Sequence, residues 1–154
     1  MTRKPTPPTK RFTVCQANAT LPLVRAITGD LVRLAQDVLD RRQRLAALSD
    51  GGGRDGKDPY QEELNQIAEQ LDEDSRQLQQ YMDELRQIGV EPRSALEGIV
   101  DFPSTLDGRS VYLCWKLGDP EVGHYHEVDA GFEGRQPLGE QLGAGGSRNE
   151  SGAK

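Results

Sequence analysis

Two stretches of equal length decide the fold: VRAITGDLVRLAQDVLDRRQRLAAL at 24–48 and LNQIAEQLDEDSRQLQQYMDELRQI at 64–88. In each stretch apolar residues recur with alternating steps of three and four, the heptad pattern of helices that pack along one seam. The apolar positions are Val24, Ile27, Leu31, Leu34, Val38, Leu45 and Leu48 in the first stretch, and Leu64, Ile67, Leu71, Leu78, Tyr81, Leu85 and Ile88 in the second. One polar residue interrupts each seam, Arg41 in the first and Asp74 in the second. The pattern therefore predicts two long amphipathic helices.

The two seams fit each other when the helices run antiparallel. Leu48 then lies opposite Leu64, and Arg41 lies within one turn of Asp74, in one register that satisfies every apolar pair. We predict that Arg41 and Asp74 form a polar layer or an ion pair, which contributes little stability but penalises slipped registers. The sequence thus predicts a long, coiled-coil-like helical hairpin over 13–89.

Local signals mark the ends of this hairpin. Thr13 and Gln16 form a capping box at its start, and Gly89 is a natural C-cap at its end. Pro22 interrupts the first helix, and we expect a kink or a restart of the helix beside it. The polar stretch SDGGGRDGKDP at 49–59 predicts the loop between the helices.

Residues 98–129 change to the two-residue alternation that is typical of strands. Short stretches at 98–103, 109–116 and 124–128 are separated by turn signals rich in Asp, Gly and Pro. We predict a three-stranded antiparallel β-meander with one face on the helices. Hairpin and meander together make one α+β domain over 12–138.

The two ends of the chain differ from this domain in composition. Residues 1–11 hold three prolines and four basic residues, and 139–154 hold five glycines among few apolar residues. Such segments cannot bury enough apolar surface to fold, so we expect both tails to be disordered. The tails carry +4 and 0 of the chain's net charge of −6, which leaves −10 on the domain. An acidic domain disfavours binding to the phosphate backbone of nucleic acids.

Composition and seam length favour a cytoplasmic homodimer. No apolar run is long enough to span a membrane. Cys15 and Cys114 form neither a CxxC motif nor a disulfide framework, which is typical of a reduced cytoplasmic protein. A single two-helix seam buries too little apolar surface to stand alone. The C-terminal strands or a second chain in a four-helix bundle would complete it, and we favour the second chain.

The most specific motifs of the chain are spread over 12–138. They are Phe12-Thr13, Ala17-Asn18, Leu21-Pro22, Val100-Asp101-Phe102-Pro103, Gly108-Arg109, Val111-Tyr112-Leu113-Cys114-Trp115, Tyr125-His126-Glu127, Asp129, Gly131-Phe132 and Gly134-Arg135. Together they resemble a bacterial family catalogued as the domain of unknown function numbered twenty-two-oh-three. The chain departs from the family at Cys15 and Gln16, where acidic residues are usual, and at Tyr125, where Trp is usual. The resemblance implies the family's fold and a bacterial origin, and it supplies no activity.

Residues with metal-binding chemistry cluster near the end of the domain. They are Glu121, His124, His126, Glu127 and Asp129. Imidazole and carboxylate groups are ligands of zinc and iron, so one divalent transition metal held by His124, His126 and Glu127 is one hypothesis. In a strand, however, His124 and His126 share one face and Glu127 points to the other. The site then needs a bend near Glu127 or ligands from elsewhere, such as Asp101 or Cys114.

A structural interpretation uses the same residues without a metal. His126 is then a packed side chain whose ring nitrogens bond to Glu127, Asp129 or the backbone. Arg135 closes over Asp129 as an ion pair, and the segment forms a polar edge of the sheet. This interpretation requires no cofactor.

A third interpretation is a site for a ligand or a partner. Arg109 and Arg135 would grip an anion bidentately, and Trp115 with Tyr125 would form an apolar wall. The candidate residues for such a site are Arg109, Trp115, Tyr125, His126, Glu127, Asp129 and Arg135.

No pattern in the sequence supports catalysis. There is no phosphate-binding glycine loop, and no nucleophile and base stand at a spacing that argues for a catalytic pair. We therefore expect a non-catalytic interaction or structural protein with a helical-hairpin dimerisation surface. A small metal-binding protein or metalloenzyme is the alternative.

Overall fold

The computed structural model describes residues 10–51 and 59–139. Two helices are followed by an antiparallel sheet of five strands, so the α+β class is confirmed. The elements are α1 (Val14–Gly51), α2 (Pro59–Ile88), β1 (Glu91–Ser94), β2 (Ile99–Leu106), β3 (Arg109–Lys116), β4 (His124–Glu127), a 3-10 turn (Phe132–Gly134) and β5 (Gln136–Pro137). Most of the predicted loop and of both predicted tails lies outside the described residues.

Helix α1 begins at the predicted capping box and continues through Pro22. The backbone N–H of Gln16 donates to Thr13 Oγ1, and the Gln16 side chain accepts from the Thr13 N–H, both at 3.0 Å. The expected restart at Pro22 is wrong, because α1 runs unbroken past it. Leu21 and Val24 on either side of Pro22 are buried in the core, and this packing offsets the hydrogen bond that Pro cannot donate.

Helix α2 ends at Ile88, and Gly89 caps it as predicted. Gly89 has φ +105°, a left-handed conformation that a side chain disfavours. Its N–H donates to the Arg86 carbonyl at 3.0 Å, and the N–H of Val90 donates to the Leu85 carbonyl at 2.9 Å. These two bonds form a Schellman motif, and its apolar pair, Leu85 and Val90, is buried. The motif turns the chain directly into β1.

The two helices contact each other through charged pairs as well as through the apolar seam. Arg41 on α1 forms the predicted ion pair with Asp74 on α2, and Arg44 pairs with Glu63. Asp74 is buried although Arg41 is partly exposed. Beyond these pairs the seam is less covered: Leu45, Leu48, Leu64, Ile67 and Leu71 are all only half-buried. None of the described helices is long and apolar enough to cross a membrane.

The sheet has five strands and not the three that were predicted. Its strand order is β1-β2-β3-β4-β5, with every neighbouring pair antiparallel. The two missed strands are the edges, four and two residues long, and each contains a proline. Proline has no N–H to donate within a central strand, so within sheets it is found mainly at the edges. Both edge strands are also too short to show an alternation pattern in the sequence.

One face of the sheet packs against the helices. Phe102, Leu113 and Trp115 point to this face and are fully buried, in one apolar cluster with Val24 and Leu31 of α1. The cluster reaches along α1 only as far as Leu31, and along α2 it starts at Leu78. The C-terminal half of α1 and the N-terminal half of α2 therefore lie outside the main core.

A glycine before β2 allows the sheet to approach α1. Gly98 has φ +73°, and a Cβ there would lie 2.7 Å from Leu117 Cβ and 3.0 Å from Val32 Cγ2. The side chain of Asn18 on α1 also holds the loop before β4, because it accepts from the Val122 N–H at 2.7 Å and donates to the Val122 carbonyl at 3.3 Å. These contacts fix strands β2 to β4 relative to the first turns of α1.

Candidate functional site

The face of the sheet opposite the helices carries a buried cluster of Asp101, Cys114 and His126. Asp101 on β2 lies directly opposite Cys114 on β3. His126 on β4 lies opposite Tyr112 and shares its face with Cys114, since residues two apart on a strand point the same way. All three side chains are buried, and each offers a donor atom within 4.8 Å of the other two. The described residues contain no second His/Cys/Asp/Glu group of this compactness.

Asp101 is held by Arg93 on one side and by His126 on the other. Arg93 Nε donates to Asp101 Oδ2 at 2.8 Å, and His126 Nε2 lies 3.0 Å from the same oxygen. Arg93 reaches over the sheet from a bulge in β1, where the register shifts between Pro92 and Ser94. Burial is the largest single effect on the pKa of Arg93 and lowers it, but the hydrogen bond to Asp101 and the negative charges around Arg93 together raise this pKa above its ordinary value. Asp101 Oδ1 is buried without a hydrogen-bond partner among the described residues.

The hydrogen bonds of His126 determine where its protons lie. Its Nδ1 is 2.7 Å from the Glu127 carbonyl oxygen, which can only accept, so Nδ1 carries a proton. Nε2 can then bond to the Asp101 carboxylate only through a second proton, which the two groups share. The pair is 3% and 1% exposed, so this proton is shielded from water.

Cys114 lies beside this pair as a protonated thiol. Burial is the larger cause, and the Asp101 carboxylate the next, of a rise in the pKa of Cys114 to about 12, while the nearby Arg135 guanidinium opposes the rise. Arg135 is in turn bonded to Asp119 at 3.0 Å. The thiol therefore stays neutral at pH 7 unless a stronger positive charge than that of Arg135 stabilises the thiolate.

His124 is the next residue of the same face. It lies directly opposite Cys114, so Asp101, Cys114 and His124 form one row across β2, β3 and β4. The Nδ1 atom of His124 is buried and accepts no hydrogen bond from any described residue. The row thus contains two buried polar atoms, one at each end, that have no hydrogen-bond partner in the described part of the chain.

The structure does not bring Glu127 to the histidines. Glu127 lies opposite Val111, on the helix-facing side, and its carboxylate binds Arg109 through two hydrogen bonds of 3.0 and 2.6 Å. Hydrogen bonding to Arg109 lowers the pKa of Glu127, and the same contact raises the pKa of Arg109. The set of His124, His126 and Glu127 is therefore not one site, and strand alternation gives the reason.

The remaining candidates are dispersed. Trp115 and Tyr125 are buried against the helices and form no wall of an open site. Asp129 lies exposed in the turn after β4. Arg135 pairs with Asp119 and not with Asp129, so no anion grip forms between Arg109 and Arg135, each of which already holds a carboxylate. Of the predicted site residues, His126 belongs to the buried cluster, and His124 and Arg135 lie next to Cys114.

From the sequence, Asp101 and Cys114 were considered only as possible outside ligands, and the contact of Arg93 with Asp101 was not predicted. Asp101 is a lone acid inside the apolar strand segment IVDF, and Cys114 lies inside VYLCW. A charge flanked by buried apolar residues is a signal for a paired or ligating carboxylate. Arg93 gave no such signal, because its contact depends on a strand that the sequence does not predict.

Two long helices on one face of a five-stranded antiparallel meander, with a buried Asp-Cys-His cluster on the other, define an α+β protein with a polar centre inside its sheet. The family profile described as "Uncharacterized conserved protein (DUF2203)" matches residues 10–138, and the chain belongs to this family. The resemblance seen in the sequence motifs is thereby confirmed. No curated protein and no solved structure matches the chain.

Proposed function

We propose that this protein binds one divalent transition metal through Asp101, Cys114 and His126. The observation that carries the proposal is the compact buried set of one carboxylate, one thiol and one imidazole, the ligand types that zinc and iron take. Asp101 Oδ1 supports it further, because this buried oxygen has no partner in the described part of the chain while Oδ2 is occupied by Arg93.

Charge balance favours the same conclusion. A divalent metal would replace two protons, the one shared by Asp101 and His126 and the one on the Cys114 thiol. The net charge of the buried site is then unchanged by binding, so no uncompensated charge is placed in the interior. Because all three side chains are buried, the centre has the closed character of a structural or storage site, and we propose no catalysis for it.

Cobalt and zinc titrations test this proposal. Protein without a histidine tag, freed of metal by a chelator, is expected to bind one equivalent of Zn²⁺ or Co²⁺, and Co²⁺ is expected to give a thiolate charge-transfer band. Cys114→Ser is expected to abolish the band and weaken Zn²⁺ binding by more than about 100-fold, since the sulfur ligand is lost. Cys15→Ser is the matched control, because Cys15 is exposed on α1 and should leave both unchanged. Equal binding by wild type and Cys114→Ser, or no binding by wild type, would show that the cluster is only a structural network.

We propose as a second function that the C-terminal half of α1 and the N-terminal half of α2 form a homodimerisation surface. The helices are proposed to continue as one antiparallel hairpin, in the register that the Arg41–Asp74 pair supports. The half-buried seam beyond that pair leaves apolar surface for a further layer. Residues 38–49 carry three Arg and one Asp, whereas 60–74 carry six acids and no basic residue. A second copy packed antiparallel would place its acidic helix beside the basic one, which completes a four-helix bundle.

Light scattering across a range of concentrations tests the dimer. We expect twice the chain mass of 17.0 kDa for the wild type. Ile67→Gln, on the seam, is expected to shift the protein toward the monomer, and Leu23→Gln, at an exposed position of α1 outside the proposed dimer surface, is the matched control that should remain dimeric. A wild-type mass of one chain at every concentration would contradict the dimer without affecting the metal proposal.

The setting that we propose is the bacterial cytoplasm. Both described cysteines are free thiols, and a reducing compartment keeps Cys114 available as a ligand. Recovery of both thiols in the free form from protein purified without reductant would support this, and a disulfide would oppose it.

A further inference from the structure

The row of Asp101, Cys114 and His124 across the sheet contains one potential metal ligand, His124, that is not part of the compact cluster. Cys114 is flanked by Asp101 on β2 and by His124 on β4, and His126 follows two residues after His124 on the same face. Side chains directly opposite each other on neighbouring strands have Cβ atoms about 4.5–5.5 Å apart, which places His124 within reach of the thiol.

Two of the buried polar atoms that have no hydrogen-bond partner among the described residues lie at the ends of this row. They are Asp101 Oδ1 and His124 Nδ1. A buried polar atom without a hydrogen-bond partner is destabilising, so two of them on one row of one small sheet require a common explanation. A cation above Cys114 would satisfy both at once.

We infer that His124 is the fourth ligand and that the centre is a tetrahedral Asp-Cys-His-His site for a zinc-like metal; this inference rests on the proposed function. Two neutral imidazoles, one carboxylate and one thiolate give a neutral complex with a divalent ion, which suits a buried position. A thiolate and two imidazoles select zinc or ferrous iron over Mg²⁺ and Ca²⁺, which prefer oxygen ligands.

Closing the site requires a movement of the His124 side chain. His124 is the first residue of β4, and it follows Gly123, around which a Cβ would meet nothing within 4 Å. Its ring nitrogens are not among the donor atoms that already lie within 4.8 Å of one another, so a side-chain rotation must accompany binding. The ring nitrogen opposite the bound one would then remain free to bond to solvent or backbone.

Glu127→Gln provides a matched control for His124→Ala. Glu127 is on the same strand and is an equally good ligand by residue type, but it points to the other face and is held by Arg109. Both positions are half-buried, so neither substitution removes a core side chain.

Zinc affinity measured by competition with a chromophoric chelator, together with X-ray absorption of the zinc-loaded protein, tests the inference. His124→Ala is expected to weaken Zn²⁺ binding by about 100-fold or more and to reduce the imidazole count from two to one, whereas Glu127→Gln should change neither. Mg²⁺ at the same concentration should not displace Zn²⁺. If Cys114→Ser loses the metal while His124→Ala keeps wild-type affinity and two imidazoles, the fourth-ligand inference is overturned and the proposed function stands. If the wild type binds no Zn²⁺, both are overturned.

Discussion

Replacing Asp101 by Ala is expected to lower the free energy of unfolding by about 3–5 kcal/mol, the cost typical of removing one partner from a buried charged pair. Asp101 is 1% exposed and accepts from both Arg93 and His126. Without the carboxylate, Arg93 can turn to water, because its side chain is 43% exposed, but His126 cannot, because it is 3% exposed. Most of the loss therefore comes from the stranded imidazole. Urea denaturation followed by circular dichroism, with a chelator present, measures this loss without any contribution from bound metal.

Asp101→Asn and Glu127→Ala complete the experiment. Asn keeps the shape of the side chain and can still accept from Arg93, so it should recover part of the lost stability. Glu127→Ala removes a carboxylate that also accepts from an arginine, but this side chain is 40% exposed, and the substitution should change stability far less. An Asp101→Ala variant as stable as Glu127→Ala would mean that the Asp101–His126 pair does not hold the sheet together.

The helices were the most predictable part of the fold because their signals are local. The capping box at Thr13 and the C-cap at Gly89 each depend on residues within one turn, and the structure has both. The Arg41–Asp74 pair was predictable for a different reason: two seams of the same spacing allow few registers. The restart of the helix at Pro22 was wrongly expected because local propensity favours a break, whereas the buried residues around it favour continuity.

The sheet was predictable only in its centre. Strands β2 and β3 carry alternating apolar residues and were recognised, but β1 and β5 have no apolar alternation. An edge strand of two to four residues forms because a neighbour offers free backbone groups, and that neighbour lies elsewhere in the sequence. Contacts that depend on such strands, such as Arg93 with Asp101, were therefore beyond the sequence pattern.

The candidate site shows the same division between local and non-local information. Strand alternation correctly separated Glu127 from His126, since this needs only the two-residue period. The partner of His126 is Asp101, which lies 25 residues away on a strand that is not even adjacent to β4. Only the register of three strands brings the two together, and a single sequence does not specify that register.

Trp115→Ala is expected to destabilise the protein by about 3–5 kcal/mol, the cost of truncating a large buried aromatic side chain to Ala. Trp115 is fully buried in the cluster that joins the sheet to α1, so its removal leaves a cavity between the two layers. Its Nε1 also donates to the Asp119 carbonyl at 3.0 Å, and the Arg25 guanidinium lies over its ring at 5.7 Å. A loss of this size is a large fraction of the roughly 5–15 kcal/mol that holds a typical domain folded. Because Trp115 is the sole tryptophan, unfolding must be followed by circular dichroism.

Two further variants separate cavity from hydrogen bond. Trp115→Phe keeps most of the apolar volume but cannot donate to Asp119, so it should cost only about 1–2 kcal/mol. Tyr60→Ala removes an aromatic ring that is 40% exposed on α2 and should change stability by less than about 0.5 kcal/mol. If Trp115→Phe proved as damaging as Trp115→Ala, the turn at Asp119 rather than the layer contact would be what Trp115 stabilises. Because Asp119 also holds Arg135 beside Cys114, that result would tie the stability of the core to the buried cluster on the opposite face.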